Sequence, residues 1–193
     1  MNQSATPAAP PKNLNGVNVS QLADTIAAIE KDPSLARFQF RARHNWIDGT
    51  HARSSVQGFY GAGREDDSRT EPMTFDHDEP PVILGENRGV NPVEYAMAAT
   101  AGCVTTTFVV NAAARGIKLD SVSVELEGEI DVRGLLNLSD EVRNGYEQIR
   151  MKFHVESDAP AEEIEELLHY AKNRSPVFDV ITNPVPVHVE LVK

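Results

Sequence analysis

Hydrophobic positions change their period along the chain, and each change marks an element. From Val19 to Lys31, the residues Val19, Leu22, Ala23, Ile26, Ala27 and Ile29 recur at helical spacing, with Ser20 as the expected cap and Asp32-Pro33 as the stop. Phe38, Phe40, Ala42, His44 and Trp46 then alternate with Gln39, Arg41, Arg43 and Asn45, which is the period of a strand. Asp48-Gly49 predicts a hairpin turn into a second strand around Arg53 to Tyr60. Gly61 to Pro81 is polar and rich in Gly, Asp, Glu and Pro. It predicts a long excursion with little regular structure, of the kind that lies over a site or an interface.

The segment from Asn91 to Arg115 is apolar nearly all round, so a helix there belongs at the centre of the fold. Pro92 suits its first turn and Gly116 its stop. Beyond it, Val122, Val124, Leu126 and Ile130 alternate with Ser123, Glu125, Glu127 and Glu129. Ile149, Met151, Phe153 and Val155 alternate with Arg150, Lys152, His154 and Glu156, so the two polar faces carry complementary charge. Val185, Val187, Val189 and Leu191 form a third alternating run. Three such strands predict an antiparallel sheet packed on one side. Before the last strand, Asp158 is the expected cap of a helix whose Ile164, Leu167, Leu168 and Ala171 face inward, with Glu162, Glu163, Glu165 and Glu166 in solvent. The order of elements gives an α+β fold, with antiparallel sheets packed around a central apolar helix. Residues 1–17 read as a flexible tail and 18–193 as a single domain with an extra helix at about 19–31.

Composition narrows the function. A net charge of -11 over 193 residues argues against a nucleic-acid binder, because little would replace the counterions around phosphates. Tyr95 to Ala114 is uncharged and long enough to span a bilayer, but its threonines, asparagine, glycine and lack of basic flanks favour a helix buried in protein. No membrane partner and a cytoplasmic location are expected. One cysteine, Cys103, excludes an internal disulfide framework and agrees with a reducing compartment. His77-Asp78-Glu79 lacks the spacing of a metal site, and Gly58-x-x-Gly61-x-Gly63 is not a dinucleotide fingerprint. No cofactor or metal is implied.

On its own, a lone thiol inside an apolar helix behaves as a small core hydrophobe. Chemistry at Cys103 requires a cation from another segment, and arginine suits because it keeps its charge. The run Asn91-Pro-Val-Glu-Tyr-Ala-Met-Ala-Ala-Thr-Ala-Gly-Cys103 resembles the Asn-Pro-Glu-x-Leu-x-x-Ala-x-x-x-x-Cys helix of the OsmC/Ohr family of hydroperoxide reductases. Ala114-Arg-Gly-Ile117, the acidic strand Val122 to Ile130, Ser157-Asp-Ala-Pro160 and Arg174-Ser-Pro-Val177 continue the likeness, which covers roughly residues 38–193.

That resemblance implies an OsmC-like fold, an intertwined homodimer and two sites at the subunit interface. It implies Cys103 as the peroxidatic nucleophile and Arg53, following Trp46 and Asp48-Gly49, as the thiolate-stabilising arginine, with Arg43 as second choice. Val93 occupies the place of the glutamate that would hold the arginine. Glu94 stands one residue later, about a hundred degrees around the helix, and is the substitute orienter. Ser175 occupies the place of the resolving cysteine and cannot form its disulfide. The implied activity is reduction of organic hydroperoxides by one cysteine, with a peroxide substrate and an external thiol reductant as partners. The alternative is a non-catalytic binding protein on the same scaffold, with a structural cysteine and an apolar cleft for a small ligand. Trp46 and Tyr95 are candidate pocket residues, though such aromatics also serve as plain core. The helix at 19–31 is expected to pack over the dimer or to close the cleft.

Overall fold

The computed structural model describes residues 12–192. In chain order the elements are β1 (Asn13–Leu14), β2 (Val17–Asn18), α1 (Val19–Lys31), β3 (Arg43–Asp48), β4 (His51–Val56), β5 (Phe59–Gly61), β6 (Arg64–Asp66), β7 (Met73–His77), α2 (Pro92–Ala114), β8 (Ser121–Glu129), α3 (Val132–Leu135), β9 (Gln148–Glu156), α4 (Ala161–Arg174) and α5 (Pro176–Thr182). The chain divides into two compact units, one of residues 20–96 and one joining the N-terminal residues to 97–193.

In the unit of residues 20–96, β3, β4 and β7 form an antiparallel sheet in that order, with β4 central. Register places Asn45, Arg53 and Asp76 in one row across the three strands. Side chains alternate across a pleated strand, so Arg43, Arg53, Ser55 and Asp76 share one face while His44, Ala52, Ser54, Phe75 and His77 share the other. Two expectations are corrected here. Ladder pairing in the first strand begins at Arg43, since the stretch before it holds only a bridge from Gln39 to Tyr60. The stretch 61–81 is not an irregular excursion, because β6 pairs with β5 and β7 completes the main sheet. Met73, Phe75 and His77 alternate with Thr74 and Asp76, a strand signal masked by the polar residues around it.

In the other unit, β8 and β9 pair antiparallel over nine residues each. Glu125 lies opposite Lys152 and Glu127 opposite Arg150, as the charge pattern predicts. Arg150 reaches both Glu127 and Glu129, which raises its pKa further and holds both carboxylates below their ordinary value. Phe108, Ala112, Ile117, Leu167 and Ala171 are the buried core, and Ile164, Leu168, Val122 and Val155 pack against it. Burial of these apolar side chains supplies the main stabilisation, about 25 cal/mol per Å² of apolar surface removed from water. The inward face predicted for α4 is therefore the observed one. Its cap is Pro160 rather than Asp158, and Ser157 Oγ organises the turn by donating to the Lys118 carbonyl and accepting from Ala159 N.

Gly116, at φ +77°, ends α2: its N–H reaches Ala113 O while Ile117 N reaches Ala112 O. This left-handed stop needs a residue without a Cβ and turns the chain so that Ile117 enters the core. Residues 12–18 are not a flexible tail. β1 and β2 form a hairpin across Asn15-Gly16, both at positive φ, and Asn15 is fastened by bonds to Ile117 O and from Leu119 N. The rest of that expected tail, residues 1–11, lies outside the described residues.

Two further expectations meet a different outcome. Buried residues on α2 are Thr100, Val104, Phe108, Ala112 and Ala113, whereas Ala98, Ala99, Gly102 and Thr106 are exposed, so the helix is covered on one face rather than all round. Val185 to Leu191 pairs with no strand among the described residues, and Val187 and Val189 are 77% and 94% exposed. A strand exists only as part of a ladder, and no ladder partner stands beside this segment among the described residues. The helix at 19–31 is present, beginning at Val19 rather than after a Ser20 cap, and apart from Val19 it is exposed or only part-buried.

Candidate active site

Arg53 projects from the central strand of its sheet, where a side chain is anchored on both sides by backbone pairing. Its Nε donates to Asp76 Oδ1 at 2.8 Å and its Nη2 to Asp76 Oδ2 at 3.1 Å. This side-on fork fixes the guanidinium plane. The Arg53 guanidinium, joined by His51, holds the Asp76 carboxyl below the ordinary carboxylate range. His51 Nε2 lies 3.2 Å from Asp76 Oδ1, and an ionised carboxylate can only accept, so Nε2 carries the proton. Asp76 was not legible as a partner, because the polar stretch around it did not read as a strand.

Glu94 points elsewhere. Its Oε2 accepts from Asn91 N at 3.1 Å, and Asn91 Oδ1 accepts from Val93 N at 2.9 Å. These reciprocal bonds are a capping box, with an asparagine cap and a glutamate three residues on, and they satisfy amides that a helix start otherwise leaves unpaired. Asn91 Nδ2 also donates to Glu79, whose pKa is raised by burial and by the neighbouring Asp78 and Glu94 carboxylates.

On the opposite face of the sheet from Arg53, Ser54 Oγ sits between two rings, 2.9 Å from His44 Nδ1 and 2.8 Å from His77 Nε2. A hydroxyl has one proton, so it donates to one ring and accepts from the other. His77 Nδ1 is buried with no hydrogen-bond partner among the described residues, which a lone pair tolerates better than an N–H. His77 therefore donates through Nε2, and Ser54 donates to His44. Burial, then the proximity of His44, pushes the His77 pKa down. The Tyr95 ring packs on His77 and Phe75 at centroid distances of 4.8 and 5.2 Å, and its hydroxyl donates to Asp76 O at 3.2 Å. Trp46 is 72% exposed and donates through Nε1 to Gly49 O, so within one chain it closes the hairpin rather than lining a cleft. Arg43 lines a cavity of about 320 Å³ with Arg41, Ser55 and Gln57.

The loop from β7 to α2 is organised by Asp78, 1% exposed. Its carboxylate accepts from Thr50 Oγ1, from the amides of Glu79, Glu86 and Arg88, and from Arg88 Nε. The Thr50 hydroxyl and these donors hold it far below the ordinary range despite burial. Gly89 passes so close to β7 that a Cβ there would meet the Asp76 carbonyl at 2.4 Å.

Cys103 lies in the other compact unit, on α2. It is half-buried, whereas Thr100 and Val104 beside it are fully buried. Ser175 is 1% exposed and caps α5, its Oγ accepting from Phe178 N at 3.4 Å. A hydroxyl there serves the backbone. Among the described residues, no group of three or more His, Cys, Asp or Glu is placed to hold a metal ion.

Comparison with known proteins adds to this geometry. The family described as OsmC-like protein matches residues 85–190, a stretch that includes Cys103 and Ser175. Among curated proteins none matches the sequence. The fold is similar to an OsmC like protein from Mycoplasma pneumoniae, with a TM-score of 0.54, 14% identity and coverage of 77% of this chain and 89% of that one. It is also similar to an organic hydroperoxide resistance protein from Elizabethkingia anophelis, with a TM-score of 0.51, 16% identity and coverage of 76% and 89%. The organic hydroperoxide resistance protein OsmC from Legionella pneumophila gives 0.50, 18% identity and coverage of 75% and 90%. At such identities the likeness is one of fold.

Proposed function

The chain belongs to the OsmC-like family, and from that premise we propose that it reduces organic hydroperoxides through Cys103 as the one redox-active cysteine. The observation that carries this reading is the half-buried position of Cys103 on α2, within the matched stretch, at the border between the buried Thr100 and Val104 and the exposed Gly102 and Thr106. An inert core thiol has no need of that access.

In the proposed reaction the Cys103 thiolate attacks the terminal oxygen of ROOH. The O–O bond breaks, an S–O bond forms, and the sulfur supplies two electrons. The alkoxide leaves as ROH after taking a proton, and Cys103 is left as sulfenic acid. Arg53 stabilises the thiolate and the negative charge that develops on the leaving oxygen. Ser175 cannot resolve the sulfenic acid. An external thiol condenses with it, releasing water and forming a mixed disulfide, and a second thiol releases Cys103 as a thiol.

The working form in this proposal is a homodimer. Support comes from the uncovered face of α2 and from the alternating valines of residues 185–189, whose pattern is that of a half-buried strand. Catalytic turnover tests the activity. With dithiothreitol as reductant, wild-type protein should consume many equivalents of cumene hydroperoxide, and Cys103→Ser none above background. Equal consumption by the two proteins would overturn the reading.

A further inference from the structure

We propose that Asp76 is the positioning residue for Arg53, a role that rests on the peroxidase reading given above. A guanidinium has five N–H groups in one plane. The side-on pair with Asp76 occupies Nε and Nη2, so the remaining donors, including both on Nη1, make no hydrogen bond among the described residues. Arg53 is 52% exposed on its side chain, so a single carboxylate contact decides where its plane lies.

Asp76 is itself held. It stands in register with Arg53 on the neighbouring strand, which leaves the two side chains no sequence-distant loop to cross. His51 places a second donor on Oδ1 and is only 12% exposed on its side chain. The carboxylate is thus fixed by a strand on one side and by a ring on the other, and the arginine inherits that fixity. A free edge on an otherwise clamped guanidinium is the arrangement needed to meet an anion without rearrangement, whether thiolate or peroxide oxygen. Glu94, the carboxylate expected in this role, instead places Oε2 on the helix cap.

An exposed arginine–carboxylate pair is ordinarily worth little to stability, so structural loss does not account for a large kinetic effect. The same unit supplies a control: Arg41 and Glu65 form another two-bond arginine–carboxylate pair, end-on through Nη1 and Nη2 and about half exposed, at another place. The experiment measures the second-order rate of Cys103 oxidation by cumene hydroperoxide in wild type, Arg53→Ala, Asp76→Asn, the double variant and Glu65→Gln. Asp76→Asn should slow oxidation by roughly tenfold to a hundredfold, the scale on which misplacing a catalytic group acts. The double variant should be no slower than Arg53→Ala, whereas a merely structural Asp76 would add its own loss. Glu65→Gln should match wild type.

Fast oxidation in wild type, slow oxidation in Arg53→Ala and unchanged oxidation in Asp76→Asn would overturn the role of Asp76 while leaving the peroxidase standing. Additive losses in the double variant, or an equal loss in Glu65→Gln, would overturn it as well. A wild-type protein whose Cys103 resists oxidation would overturn the peroxidase and the positioning role together.

Discussion

Asp78 and His77 are neighbours in sequence that respond to acid in different ranges, and the difference follows from what each side chain touches. Asp78 is ionised among donors, so its pKa lies below the ordinary 3.8. A carboxylate depressed on folding contributes stability that is present above its unfolded value and lost as the pH falls below it. His77 is depressed from the ordinary 6.5 by burial, so the unfolded chain binds the proton more readily than the folded one. Stability should therefore begin to decline as the pH drops below about 6.5 and decline again below about 3.8. Melting temperature measured against pH should show both steps, and His77→Gln should remove the first alone. A profile flat from neutral pH down to the carboxylate range would contradict the burial assigned to His77. Ser54 makes the same site sensitive to shape, since Ser54→Ala leaves the donor on His77 without its acceptor.

At the level of elements, the parts read correctly from sequence are those whose own pattern decides their structure. α4 is amphipathic, and Leu167 and Ala171 went inside because a helical stripe has one apolar side. Leu167→Ala should cost about 3 kcal/mol in urea unfolding, the usual scale for a fully buried leucine. β8 and β9 were legible in kind and as neighbours, through the complementary charge of their polar faces, and the structure adds the register that sets Glu125 opposite Lys152 and Glu127 opposite Arg150. Elements whose structure is decided by a distant partner were not legible. Asn15 and Gly16 sit in a low-complexity start, and what orders them is the 117–119 segment about a hundred residues away. β7 is short and embedded among charges, and only β4 alongside it makes it a strand. Glu94 was read for chemistry when its spacing from Asn91 already spelled a helix cap. Residues 185–191 carry a strand pattern that no neighbour among the described residues completes.

For the whole molecule, that unfinished pattern bears on assembly. An alternating apolar segment left in solvent, and a central helix covered on one face only, are costly in an isolated chain and ordinary in a dimer. Light scattering should report a dimer for wild type, and Val189→Asp, which places a charge where the strand face is most exposed, should shift it toward monomer. A wild-type monomer at micromolar concentration would remove assembly from the account. The proposed chemistry itself turns on one sulfur atom. Titrating reduced protein with cumene hydroperoxide and trapping sulfenic acid for mass spectrometry tests it most directly. Rapid addition of one oxygen at Cys103 is expected, one equivalent per chain and slowed in Arg53→Ala. A Cys103 that stays reduced, or that oxidises slowly and equally in both proteins, would contradict it.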